Sequence, residues 1–151
     1  MQDFKTIITV NASPQHSFES INDVTKWWTE NLEGSTHKQG DEFTVQFGDI
    51  HYSKQRITEL IPGKKVAWLV IDSNLSFVAN KQEWTNTMIV FDISIHESKT
   101  KIHFTHDGLI PAHECFDACS NAWSQYIQQS LLSLVNTGEG QPTRKEIPIQ
   151  S

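Results

Sequence analysis

Seven histidines and two cysteines are the side chains of this 151-residue sequence best suited to nucleophilic, acid–base or metal chemistry. Their spacing decides most of what they can do. His103 and His106 lie three apart in a stretch with strand alternation, so they point to opposite faces and cannot share an ion. His113, Glu114 and Cys115 form a compact group, but no second cluster stands at ligand spacing, and no metal site is expected. Cys115 and Cys119 are four apart in a helical stretch, where Cβ atoms sit about 5–6 Å apart against the roughly 3.8 Å a disulfide needs. Both are therefore expected as free thiols. Cys119 falls on an apolar stripe and reads as a small core residue, because no base is positioned to activate it. His106 shares the parity of Ile102 and Phe104 and should face inward. It is either a core histidine hydrogen-bonded to the start of the last helix or an acid–base group in a cavity, and the first reading takes precedence. No Gly-rich phosphate loop and no Gly-x-Ser-x-Gly occurs, so nucleotide use, serine-hydrolase chemistry and a bound cofactor are not expected. Arg56 and Glu59 sit on a strand weak in apolar residues and would bind a polar head only if that side faced a cavity; solvated surface charges are the simpler reading.

The elements that must position these groups follow from periodicity. Phe4, Thr6, Ile8 and Val10 alternate with polar or smaller residues as a strand does. Ser13-Pro14 then supplies an N-cap and a first-turn proline for a short helix carrying Phe18, Ile21 and Val24, and Asp23 can cap a second short helix ending in Trp27-Trp28. A polar, glycine-containing stretch runs to Gly40. Alternation resumes from Asp41 to Gly108, with Phe43/Val45/Phe47, Val66/Trp68/Val70, Ile89/Phe91/Ile93/Ile95 and Ile102/Phe104/His106 as the apolar sets and Tyr52 to Leu60 as a weaker member. Gly48-Asp49 and Pro62-Gly63 are hairpin punctuation. Six or seven strands are expected. The long connection from Asp72 to Asn86 carries Leu75, Phe77 and Trp84 and reads as a folded loop or lid over apolar surface. The segment from Ala112 to Asn136, free of proline and glycine, predicts an amphipathic helix of about six turns ending at Thr137-Gly138. One domain over residues 1–138 and an extended or disordered tail over 139–151 are expected.

Composition bounds the function. The net charge of −6 and the lack of a basic run longer than two residues argue against a nucleic-acid partner. The start MQDFKTIITV lacks a basic, then apolar, leader, and the longest apolar run, Val66 to Ile71, is far short of the roughly 20 residues needed to cross a bilayer. No membrane span and a cytoplasmic location are expected. Hydrophobic residues make up only 37%, yet 5 Trp, 8 Phe and 2 Tyr are among them. The interior must be built largely from rings.

Local sequence sharpens this order of elements. Val10-Asn-Ala-Ser-Pro14 before a helix ending in Trp27-Trp28, Gly40-Asp-Glu-Phe43, Ile57-Thr-Glu-Leu-Ile-Pro-Gly-Lys-Lys-Val-Ala-Trp68, Thr105-His106-Asp107-Gly108 and Trp123 stand where bacterial START-like (SRPBCC, Bet v 1-like) proteins related to the C-terminal domain of the Hsp90 ATPase activator carry similar residues. The chain resembles that family over residues 4 to 140, with Ala122 where relatives often have glycine. The resemblance implies an α+β helix-grip fold: a curved antiparallel sheet wrapped around a long C-terminal helix, with two short helices after the first strand. It also implies a cavity between sheet and helix that binds hydrophobic small molecules in some members. The residues expected to contact such a ligand are Phe43, Val45, Ile57, Trp68, Phe91, Phe104, His106, Phe116, Cys119 and Trp123, with His106 the lone candidate for catalysis. A binding module for a small hydrophobic or amphipathic molecule is the leading expectation. A chaperone partner, as in Hsp90 co-chaperone contact, and cyclase- or hydrolase-type chemistry in the same cavity are the alternatives.

Overall fold

The alternating segments form one seven-stranded antiparallel sheet in the computed structural model, which describes residues 3–143. Strand β1 (Phe4–Val10) is followed by helix α1 (Pro14–Asn22) and a 3₁₀ turn (Val24–Lys26), then by β2 (Leu32–Gly34), β3 (Glu42–Phe47), β4 (His51–Ile61), β5 (Lys65–Leu75), β6 (Met88–His96) and β7 (Lys99–Asp107). The spatial order is β1-β7-β6-β5-β4-β3-β2. This is the helix-grip architecture. The seventh strand is β2, inside the stretch expected to be loop; its Leu32, Glu33 and Gly34 pair with Val45, Thr44 and Phe43. Three residues are too few for an alternation to show.

Helix α1 starts as its residues dictate. The Ser13 hydroxyl accepts the His16 amide at 3.0 Å, Pro14 occupies the first turn, and Phe18 and Ile21 are buried. The second short helix is a single 3₁₀ turn that carries Val24 inward and delivers Trp27 and Trp28 to the core.

The long helix runs from Phe116 to Thr137 as α2 (Phe116–Gln125), a π-helical segment (Tyr126–Leu131) and α3 (Leu132–Thr137), closed by Gly138 at φ 87°. It begins four residues later than the expected Ala112. The Glu83 carboxylate, reaching in from the β5–β6 loop, accepts the amides of Glu114 and Cys115 at 3.0 and 3.1 Å, so the chain enters the helix through a turn held from outside. The π segment shifts the phase of the buried face, so that Ile127, Ser130 and Leu131 all point inward. Buried Ser130 donates to the Trp27 carbonyl at 2.7 Å, tying the helix to the end of the 3₁₀ turn. Of the tail expected over 139–151, residues 139–143 are in neither helix nor strand, and Thr143 bridges to Thr29; the rest lies outside the described residues.

Two irregularities curve the sheet. The β4–β5 register shifts between Lys54 and Gln55 and again between Ile57 and Glu59, leaving Ile71 and Thr58 as inserted residues. The inward set of β5 is thereby Val66, Trp68 and Val70, then Ser73 and Leu75. That is why simple alternation loses the strand at Asp72, three residues before its end. Among the described residues no helix is long and apolar enough to cross a membrane.

Candidate functional site

All five tryptophans stand in one array. Trp27 stacks against Trp28 and Trp68 at centroid distances of 6.1 and 6.4 Å, Trp28 against Trp68 and Trp84 at 5.9 and 6.4 Å, and Trp84 against Trp123 at 5.7 Å. These rings come from the 3₁₀ turn, a central strand, the β5–β6 loop and the last helix. The array therefore joins every layer of the fold.

Around Trp27 and Trp68 the array is packed against Phe43 and Phe91; around Trp84 and Trp123 it opens toward the β5–β6 loop. A cavity of about 300 Å³ lies between the first half of the long helix, the loop and the β3–β4 hairpin, lined by Trp28, Phe47, Ile50, His51, Phe77, Trp84, Ala118, Cys119, Ala122, Trp123 and Tyr126. Ile50 and Phe77 stand at its rim, 57% and 43% exposed. The loop is held in place over it: the Ser76 amide donates to the Ile50 carbonyl at 3.0 Å, and the Ala79 amide to the Glu114 carboxylate at 3.0 Å.

Of the ten residues expected to contact a ligand, the structure brings Cys119 and Trp123 to this wall. Phe43, Val45, Ile57, Trp68, Phe91, Phe104 and His106 are fully buried in the ring-filled part of the core, and Phe116 is half-buried against it. The reason is the size of the tryptophans, which fill the centre of the grip and leave space only at the loop end. Sequence reasoning did not count Trp28, Phe47, Ile50, His51, Ala118, Ala122 and Tyr126 among the ligand contacts, and it placed Phe77 and Trp84 only in a loop over apolar surface. The parity of β4, which sets His51, Ser53, Gln55 and Ile57 on one inward face, was the available signal. Arg56 and Glu59 are on the outer surface, where they pair with Glu42 at 2.8 Å and Lys65 at 3.1 Å. Arg56 holds the Glu42 carboxyl below the usual carboxylate range.

His106 is fully buried and saturated. The indole N–H of Trp123 donates to its Nδ1 at 3.0 Å, which leaves the proton on Nε2, 2.8 Å from the Thr87 hydroxyl. Thr87 in turn donates to the Trp84 carbonyl at 2.5 Å. The hydrogen bond expected to reach the helix start reaches Trp123, near its middle, and the loop. Burial pushes His106 down to about 3, with His51 and His113 adding to the effect; burial alone pushes His51 down to about 3. Both rings are neutral near pH 7.

A folded-state value so far below the ordinary 6.5 has a definite sign. The unfolded chain takes up the proton first as pH falls, so stability is complete above about pH 6.5 and is lost between there and about pH 3, by about 1.4 kcal/mol per pH unit for fully buried His106. His51 acts in the same direction. Urea-unfolding midpoints measured from pH 7.5 to 4.5 should fall steadily below pH 6.5, and a flat profile would contradict neutral buried rings.

Cys115 and Cys119 are both free and buried. The Trp84 indole N–H donates to Cys119 Sγ at 3.4 Å. The Cys115–Cys119 hydrogen bond, then burial, pushes the Cys115 thiol up; the same bond, aided by Trp84, pulls Cys119 down against its own desolvation. Cys115 thus keeps its proton more firmly than the sulfur on the cavity wall. Among the described residues no three His, Cys, Asp or Glu side chains converge to hold a metal ion.

Comparison with known proteins agrees with this geometry. The family described as Activator of Hsp90 ATPase homolog 1-like protein matches residues 16–136. The solution structure of the Aha1 dimer from Colwellia psychrerythraea superposes with a TM-score of 0.74 at 24% identity, covering 93% of this chain and all of that one. SSP2350 from Staphylococcus saprophyticus gives 0.67 at 14% identity over 95% and 98% of the two chains. DynU16, a putative protein in the dynemicin biosynthetic locus, gives 0.65 at 14% identity, with 93% of this chain covering 49% of that one. Curated proteins contain no match to the sequence. With the family match spanning most of the chain and the same fold in these structures, the protein belongs to the Activator of Hsp90 ATPase homolog 1-like family.

Proposed function

We propose that this protein is a binding module that holds a small, uncharged hydrophobic or amphipathic molecule between its long helix and the β5–β6 loop. The observation that carries the reading is the cavity of about 300 Å³ lined by six Trp, Phe and Tyr rings and the His51 imidazole, with no Lys, Arg, Asp or Glu in its lining. Pockets of that size and polarity suit small ligands, and a charged one would lose its hydration without a counter-charge. Acid–base catalysis through His106 finds no support, because both ring nitrogens are engaged and the ring has no exposed surface.

Trp28, Trp84 and Trp123 line the cavity, so intrinsic fluorescence reports occupancy directly. Titration with fluorene should change the emission saturably at one molecule per chain, and solvent extracts of the purified protein analysed by mass spectrometry should contain an apolar molecule. No saturable change together with an empty extract overturns the reading. Cys119 gives an independent measure. Iodoacetamide should label it ahead of Cys115, and saturating fluorene should slow that labelling severalfold; equal labelling with and without fluorene would place the probe elsewhere.

A second reading is favoured by the family match and by the likeness to the Aha1 dimer. Contact with Hsp90 would be a protein interaction independent of the cavity. It is tested by the Hsp90 ATPase rate with and without this protein, and an unchanged rate removes it.

A further inference from the structure

We infer that His51 is the hydrogen-bond donor that selects the ligand, and that the cavity takes a flat, uncharged aromatic molecule bearing a hydrogen-bond-accepting oxygen, such as an aryl ketone. The inference rests on the cavity reading above and adds the chemistry of what fills it.

Shape comes from the walls. Trp84 lies within 13° of parallel to Trp123 and within 18° of parallel to Trp28. Near-parallel rings give the cavity flat apolar walls, against which a planar guest packs better than a flexible chain does.

Polarity comes from an account of the polar groups in the lining. Cys119 Sγ already accepts from Trp84, and the Tyr126 hydroxyl is bonded to the Thr143 hydroxyl. The indole N–H groups of Trp84 and Trp123 are spent on Cys119 and His106. His51 remains, and its proton is placed by a chain of inward side chains on β4. The Gln55 amide donates to Ser53 Oγ at 2.5 Å, and Ser53 Oγ lies 3.0 Å from His51 Nε2. Ser53 is fully buried, its oxygen receives the Gln55 proton, and its own hydroxyl proton has no acceptor other than Nε2 among the described residues, so it goes there. Nε2 is thus an acceptor, and the neutral ring carries its hydrogen on Nδ1. That N–H has no partner among the described residues. The ring packs nearly perpendicular to Phe47 and Trp84, at 5.1 and 4.5 Å, and is one of the cavity-lining side chains. At the far end of the chain, Gln55 Oε1 and Trp68 Nε1 are a buried acceptor and a buried donor, each without a partner among the described residues. A Gln55 amide turned the other way would reverse the chain and make Nδ1 an acceptor.

Three probes of one shape separate the cases: fluorene, with no hydrogen-bonding group; 9-fluorenone, with an accepting carbonyl; and carbazole, with a donating N–H. Calorimetric titration of the full chain should give fluorenone about fivefold tighter than fluorene, the worth of one net hydrogen bond, with carbazole no better than fluorene. His51→Phe keeps a ring in place and should erase the fluorenone-to-fluorene affinity ratio, whatever the change in fluorene itself; His51→Leu should erase the same ratio. Equal binding of fluorenone and fluorene by the wild type, a preference for carbazole, or an equal loss of all three probes in the variants overturns the assignment to His51. Failure of all three to bind the wild type overturns the cavity reading itself.

Discussion

Trp123→Ala should lower the free energy of unfolding by about 3–5 kcal/mol, the range for removing a large buried ring. Trp123 is where the long helix meets the array: its ring lies 4.9 Å from Trp28, 5.7 Å from Trp84 and 4.6 Å from Phe104. Its N–H is also the donor that fixes His106. The alanine variant loses the ring and strands a buried imidazole acceptor, two penalties at one residue. Against a total stability of roughly 5–15 kcal/mol for a domain of this kind, that leaves the chain near the edge of folding. Trp123→Phe separates the contributions. It keeps most of the apolar contact and removes only the donor, so its loss should be about 1–3 kcal/mol. Urea midpoints with unchanged m-values measure both; a loss under 1 kcal/mol for alanine would mean that the helix is held by its second half instead.

The sheet and the helix could be read from the sequence because their signals are periodic and long. Phe43/Val45, Ile89/Phe91/Ile93 and Ile102/Phe104/His106 alternate cleanly and are all inward. The free cysteines, the Ser13 cap and the Gly138 stop depend on single residues with local physics, and those too are where expected. What escaped is non-local. The start of the last helix is set by Glu83, about thirty residues earlier in the chain. The end of β5 is set by a bulge at Ile71. Strand β2 exists because β3 offers it an edge to pair with.

The site was readable only in kind. Parity identifies which residues face inward, but whether an inward face is solid or hollow depends on how volumes add up across elements far apart in sequence. Phe43, Trp68 and Phe91 were reasonable lining residues until Trp27 and Trp28 filled the space between them: Trp27 sits 5.8 Å from Phe91, and Trp28 sits 5.9 Å from Trp68. The polar face of β4 looked like weak strand sequence when judged by apolar content. In the folded chain it is a hydrogen-bonded row, His51 to Ser53 to Gln55, that leads from the cavity into the core.

Two exposed alanines line the helix side of the cavity, and narrowing it there should uncouple binding from stability. Ala118 and Ala122 are four apart on α2, one turn of the same face, and both line the cavity beside Cys119 and Trp123. Both are exposed, so a larger side chain at either position can extend over the cavity without entering the packed core. Ala122→Leu adds three carbons to a site with room for them, so it avoids the strain of overpacking a solid core and gains contacts instead. The unfolding midpoint should therefore be unchanged or slightly raised. Affinity for fluorene should drop by about tenfold or more, since the guest must forfeit contacts worth about 0.8 kcal/mol for each methylene-sized volume it can no longer occupy. A loss of both stability and binding would show that position 122 has no spare volume, and retained binding would move the ligand away from the helix. Only loss of binding with the fold intact agrees with a cavity that this alanine keeps open.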